Sequence, residues 1–81
     1  MTKLTLYAKP GCHLCEEARA VVEEVRTRHE FELEEVDITR DPALEARYRE
    51  RIPVVSIDGQ EALELVIEAT ELECCLASMA P

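Results

Sequence analysis

Basic residues are scarce in this sequence: nine lysines and arginines stand against eighteen aspartates and glutamates, for a net charge of −9. A chain so acidic repels nucleic acid and anionic membrane surfaces while favouring solubility, so neither is expected as a partner. The surplus carboxylates either select basic partners or simply form a solvated surface. No run approaches the roughly 20 apolar residues of a membrane span. The N-terminal Met1-Thr2-Lys3-Leu4-Thr5-Leu6-Tyr7 lacks the long apolar stretch and small-residue cleavage site of a secretory signal. It reads as a strand instead. Internal repeats, linkers and low-complexity segments are absent too. With 81 residues, of which 47% are apolar, the chain fits one small monomeric domain around one compact core. A cytoplasmic location is expected, where thiols are held reduced and a disulfide is usually transient and catalytic. That setting disfavours reading the four cysteines as a structural disulfide framework.

What is present is a regular alternation of strand and helix signals. Lys3 to Ala8 alternates, with Leu4, Leu6 and Ala8 on one face and Thr5 and Tyr7 on the other. Pro10-Gly11 breaks it. From His13 to about Arg28, Leu14, Ala18, Val21, Val22 and Val25 follow the spacing of one helix face, and Glu24 can meet Arg28 one turn on. Phe31 to Ile38 is a second strand. Asp41-Pro42 then supplies an N-cap and a proline at the first helical position, opening a short helix to about Glu50 with Leu44 and Tyr48 inward. Ile52 to Ile57 is a third strand, and Asp58-Gly59 is the preferred dipeptide of a two-residue hairpin, so Gln60 to Val66 returns antiparallel. Thr70 and Glu73 have the spacing of a capping box for a last helix to about Met79, burying Leu72, Cys75, Leu76 and Met79. The order β-α-β-α-β-β-α predicts an α/β fold: a four-stranded mixed sheet with three helices, the first two strands parallel through a right-handed crossover.

The chemistry lies in Lys9-Pro10-Gly11-Cys12-His13-Leu14-Cys15, at the junction of the first strand and first helix. A thiol at a helix N-terminus meets unpaired amides and the positive end of the dipole. Such placement lowers a thiol pKa from about 8.5 into roughly 3.5–7.5. Cys15 lies one turn inside on the same face and can close a disulfide with Cys12. The pattern therefore points to thiol–disulfide exchange, with Cys12 as nucleophile and Cys15 resolving the mixed disulfide. A Cys-x-x-Cys is also half of a zinc site. The only other cysteines, however, are the adjacent Cys74 and Cys75, about 100° apart on a helix, rather than a second spaced pair. A metal or iron–sulfur site, or a non-catalytic binding module, is the alternative.

With Pro53 about forty residues after the cysteines, at the start of a strand, the chain resembles the glutaredoxin-like branch of the thioredoxin superfamily. The resemblance covers about residues 3–66, through Pro10-Gly11-Cys12, Cys15, Val36-Asp37-Ile38, Ile52-Pro53-Val54-Val55 and the Asp58-Gly59 hairpin. It implies a cis Pro53 beside the catalytic disulfide, an Ile52 backbone that pairs with substrate, and a Lys9 that helps hold a glutathione carboxylate. It also implies protein or small-molecule disulfides as substrates, with glutathione or a thioredoxin-type reductase returning the electrons. Two departures weigh against glutathione. Val66-Ile67-Glu68-Ala69-Thr70 has no glycine where the family cradles the γ-glutamyl end, and His13-Leu14 replaces the aromatic residue often found between the cysteines. No cofactor is expected.

Other polar residues have two readings each. His13 either tunes the Cys12 thiolate or faces solvent, being mostly neutral at pH 7. Glu16 and Glu17 suit a helix start but oppose an anionic Cys12. Arg49 and Arg51 either receive substrate carboxylates or compensate a helix C-terminus. His29 is read as surface, Cys75 as core, and Cys74 as outward.

Overall fold

A computed structural model describes residues 2–79. Strand β1 (Lys3–Ala8) leads into helix α1 (His13–Arg26), then β2 (Glu32–Asp37), a 3-10 turn (Ile38–Arg40), α2 (Pro42–Tyr48), β3 (Val54–Ile57), β4 (Gln60–Glu64) and α3 (Ala69–Met79). The sheet order is β2-β1-β3-β4, with β1 and β2 parallel and the other two pairings antiparallel. This is the expected four-stranded mixed sheet with three helices.

The alternation of β1 decides the layers. Leu4 and Leu6 are fully buried on one face. Register places Glu35 beside Leu6, and Glu35 accepts a 2.7 Å bond from Arg19 of α1, so α1 covers that face. Tyr7 points the other way and stacks on Tyr48 of α2, ring centroids 4.6 Å apart. Helix α3 packs beside α1. The central β3 buries all four of its residues. At its end Asp58 and Gly59 take φ of +50° and +86°, both left-handed, which is the geometry a two-residue turn needs to match strand twist. The Asp58 carboxylate also accepts from Lys3 N–H at 2.9 Å, tying the hairpin to the start of β1.

Several local expectations are corrected. Helix α1 buries Cys15, Ala18, Val22 and Val25; Leu14, one residue out of phase with that stripe, is exposed. The helix closes at Thr27, whose hydroxyl donates to Glu24 C=O at 2.6 Å, and Glu24 still reaches Arg28 at 3.4 Å. Asp37 ends β2 because its side chain accepts from Thr39 N–H at 2.9 Å and starts the 3-10 turn. Asp41 caps α2 through Ala43 N–H at 2.9 Å as expected, but α2 stops at Tyr48.

The capping box on α3 does not form. The helix begins two residues earlier than a Thr70 cap would start it, at Ala69, with Leu72 N–H bonded to Glu68 C=O at 2.9 Å. Glu73 turns away to accept from Arg28 (3.2 and 3.4 Å) and to meet His29 (3.0 Å). His29 is therefore a half-buried tether between the α1 exit and α3, not free surface. Leu72 and Leu76 are buried and Cys75 half-buried; the side chain of Met79 lies outside the described residues.

Candidate active site

Gly11 takes φ of +74°, a conformation glycine adopts without a Cβ penalty, and turns the chain from β1 into α1. Cys12 is the N-cap of α1, extended at φ −98° and ψ 115°, and its Sγ accepts the Cys15 N–H at 3.2 Å. The thiol thus takes the place of the serine or aspartate oxygen that commonly caps a helix. Cys12 is half-buried, whereas Cys15 is 2% exposed. Burial, reinforced by the hydrogen bond with Cys12, pushes the Cys15 thiol up to about 11. The two sulfurs of one motif are thus held in different environments.

The Ile52-Pro53 peptide bond is cis. Register pairs Tyr7 with Val54, which sets Pro53 beside the end of β1 from which the cysteine turn departs. Ile52 is buried, and its N–H donates to Tyr48 C=O at 3.0 Å. Leu65 N–H donates to Pro53 C=O (2.8 Å) and to Arg51 C=O (3.3 Å), joining the chain after β4 to the proline turn. Leu65 itself stands at φ of +68°.

The charged candidates separate. Lys9 lines a cleft of about 570 Å³ with Pro10, Arg19, Asp37 and Arg40. His13 is directed to Glu17, 3.2 Å away on the next turn, with its side chain 86% exposed. Arg51 binds Glu61 and, at 3.3 Å, Glu64, while Arg47 reaches Glu61 at 3.3 Å. Both guanidiniums lie over the Tyr48 ring, and Tyr48 donates to Glu61 at 3.1 Å. Those arginines hold the Glu61 carboxyl below its usual range, Arg51 most strongly. Arg51 is thus committed to β4, and Arg49 is exposed on the turn after α2. Arg19 and Arg40, beside Lys9, and Leu65, beside Pro53, are site neighbours the sequence did not single out. Neither Arg40 nor the Leu65 backbone belongs to a motif that a local stretch of sequence displays. No three His, Cys, Asp or Glu side chains converge as a metal-ligand set among the described residues.

Comparison with known proteins places this arrangement. Residues 3–77 match the glutaredoxin-like domain (DUF836). The X-ray structure of protein XcR50 from X. campestris is 37% identical over 96% of this chain and 99% of its own, with a TM-score of 0.79. Protein Ne2328 from Nitrosomonas europaea is 29% identical over 91% of this chain and 89% of its own, also at 0.79. A mutant thioredoxin from Halobacterium salinarum shares the fold at 21% identity, over 99% of this chain and 75% of its own, with a TM-score of 0.74.

Proposed function

Because the chain belongs to the glutaredoxin-like family, we propose that it is a thiol–disulfide oxidoreductase working by dithiol exchange through Cys12 and Cys15. The observation that carries the reading is the Cys15 N–H bonded to Cys12 Sγ at a helix N-terminus, with the Cys15 sulfur buried one turn behind it. The Cys12 thiolate attacks one sulfur of a substrate disulfide. That S–S bond breaks, a Cys12–substrate mixed disulfide forms, and the other sulfur leaves as a thiolate that takes a proton from solvent. Cys15 then loses its proton and attacks Cys12 Sγ, forming the Cys12–Cys15 disulfide and releasing the second substrate thiol. Two electrons and two protons pass to the substrate, and an external thiol or reductase restores the enzyme.

The order of attack follows from access. Cys15, buried and held up to about 11, is a poor first nucleophile but becomes effective when Cys12 Sγ is already bonded within reach. Pro53 and the Ile52 carbonyl shape one wall of the groove, and Lys9 supplies a cation near it. The setting proposed is the cytoplasm, with protein or small-molecule disulfides as substrates.

Insulin reduction beside a glutathione mixed-disulfide assay tests the activity. Cys12→Ser abolishes exchange, whereas Cys15→Ser accumulates mixed disulfides at Cys12, visible by mass spectrometry. Iodoacetamide labels Cys12 first in the reduced protein. Labelling of Cys15 first reverses the roles, and an inactive wild type removes the reading.

A further inference from the structure

We propose that Tyr48 is a positioning residue for disulfide exchange: its hydroxyl bond to Glu61 fixes the turn carrying Ile52 and Pro53 against the end of β1, and so aligns a disulfide with Cys12. This role rests on the exchange chemistry above and adds a residue outside the cysteine motif.

Three parts of the site meet at Tyr48. Its ring, 5% exposed, stacks on Tyr7 of β1 with centroids 4.6 Å apart. Its carbonyl accepts Arg51 N–H at 2.7 Å and Ile52 N–H at 3.0 Å, closing the backbone just ahead of Pro53. Its hydroxyl donates to Glu61 Oε2 of β4 at 3.1 Å. Tyr7 in turn pairs with Val54, the residue after Pro53, on the strand that delivers the cysteine turn. Phenylalanine would fill the stack on Tyr7 equally well, and a buried hydroxyl is costly unless bonded. What the hydroxyl adds is the link from that stack to β4.

Strand β4 is shaped to hold its end of the link. In a regular strand, residues three apart point to opposite faces, yet Arg51 Nη2 meets both Glu61 and Glu64. The register explains this. Val55 pairs with Leu63 while Ser56 pairs with Glu61, so Ala62 is an extra residue, a bulge that turns both carboxylates towards one guanidinium. Glu61 divides its oxygens: Oε1 accepts from Arg51, and Oε2 accepts from Arg47 at 3.3 Å and from the Tyr48 hydroxyl. The main chain repeats the tie, since Leu65 N–H donates to the carbonyls of both Pro53 and Arg51. Exposed ion pairs contribute little by themselves. Here they hold the acceptor of a buried hydroxyl, and every bond in the set ends on the residues just before Pro53 or on the strand beside them.

A reaction that needs an aligned disulfide and one that does not separate positioning from stability. Reduced full-length protein is mixed with the symmetric disulfide of a short, uncharged, single-cysteine peptide, and formation of the Cys12–Cys15 disulfide is followed by mass spectrometry. Alkylation of Cys12 by iodoacetamide is followed in parallel. Tyr48→Phe, its fold verified by circular dichroism, should slow the peptide reaction about threefold to tenfold, part of the roughly tenfold to hundredfold that a lost charge-assisted hydrogen bond represents. Alkylation should keep the wild-type rate. Glu61→Ala should split the two reactions in the same way, and the double variant should be no slower than Glu61→Ala alone, because both changes remove one interaction. Should either single variant unfold, the other decides by the same pair of rates. A wild-type peptide rate in a folded variant overturns the positioning role, and so does an equal fall in both reactions. Additive effects overturn the route through Glu61. In each of these cases, reduction of hydroxyethyl disulfide by the wild type leaves exchange standing. Its failure overturns the exchange reading, and the role of Tyr48 with it.

Discussion

Cys15 carries the clearest pH signature of any single residue. Burial first, and the Cys12 hydrogen bond second, raise its thiol from an ordinary 9.0 to about 11. A group whose folded value lies above its unfolded one contributes stability fully below the lower value, and that contribution is lost as pH rises through the higher. Reduced wild type should therefore lose stability between about pH 9 and 11, relative to Cys15→Ala. Urea melts of both proteins across that range measure the difference, and parallel curves would contradict the assignment. Cys74 and Cys75 give a second test at this scale. Cys74 is exposed, while Cys75 is half-buried and its thiol is raised, chiefly by burial and then by Cys74 beside it. Alkylation of the native reduced protein should modify Cys74 well ahead of Cys75. Equal rates by mass spectrometry would show that α3 does not hold this face against the core.

Among the elements, α3 depends on two kinds of contact that mutation can separate. Leu72 is fully buried, so Leu72→Ala should cost about 2–5 kcal/mol by lost transfer energy plus the cavity left behind. Glu73 instead ties the helix to the α1 exit through Arg28 and His29, both on its carboxylate. Arg28 first, then His29, holds that carboxyl below its ordinary 4.5. A depressed carboxyl stabilises the fold above its unfolded value and loses that contribution as pH falls through the folded one. Glu73→Gln should therefore lower the melting temperature near neutrality and flatten the wild type's loss of stability below about pH 4.5. Added salt should narrow the gap between the two, because these groups are partly exposed. A gap that survives high salt would mean Glu73 acts through packing.

For the whole molecule, net charge −9 and the shape of the groove bear on the reductant. Glutathione carries two carboxylates, and Lys9 and Arg40, lining one cleft, can meet one of them. The other end needs backbone donors after β4, where Leu65 to Glu68 offers no glycine and Leu65 N–H is already bonded to Pro53. Losing one set of charge-assisted hydrogen bonds costs roughly 1.5–3 kcal/mol, about tenfold to a hundredfold in affinity. Glutathione is accordingly expected to be a weak reductant and protein dithiols better ones. Titration of Cys15→Ser with oxidised glutathione measures this directly; a stable adduct and rapid deglutathionylation would restore glutathione as the partner.

What the sequence determined by itself lies within a few residues of chain. The cysteine turn needs only Gly11 and a helix start, the hairpin only Asp58-Gly59, and the α2 cap only Asp41-Pro42. Each is a local backbone preference that no distant residue contradicts. The β-α-β-α-β-β-α order follows from hydrophobic period in the same way. Tertiary structure decided wherever a side chain had a choice of partners. Glu73 had the spacing to cap its own helix but meets Arg28 and His29, some 45 residues earlier in the chain. Arg51 could have faced the groove but is held by two carboxylates of β4. Leu14 fits a helix stripe on paper, yet the stripe that meets the sheet runs through Cys15. Leu65 turns left-handed because its N–H is claimed by a carbonyl of the proline turn. A cap or a helix-face position is worth about 1 kcal/mol, little enough for one contact arriving from across the fold to redirect it.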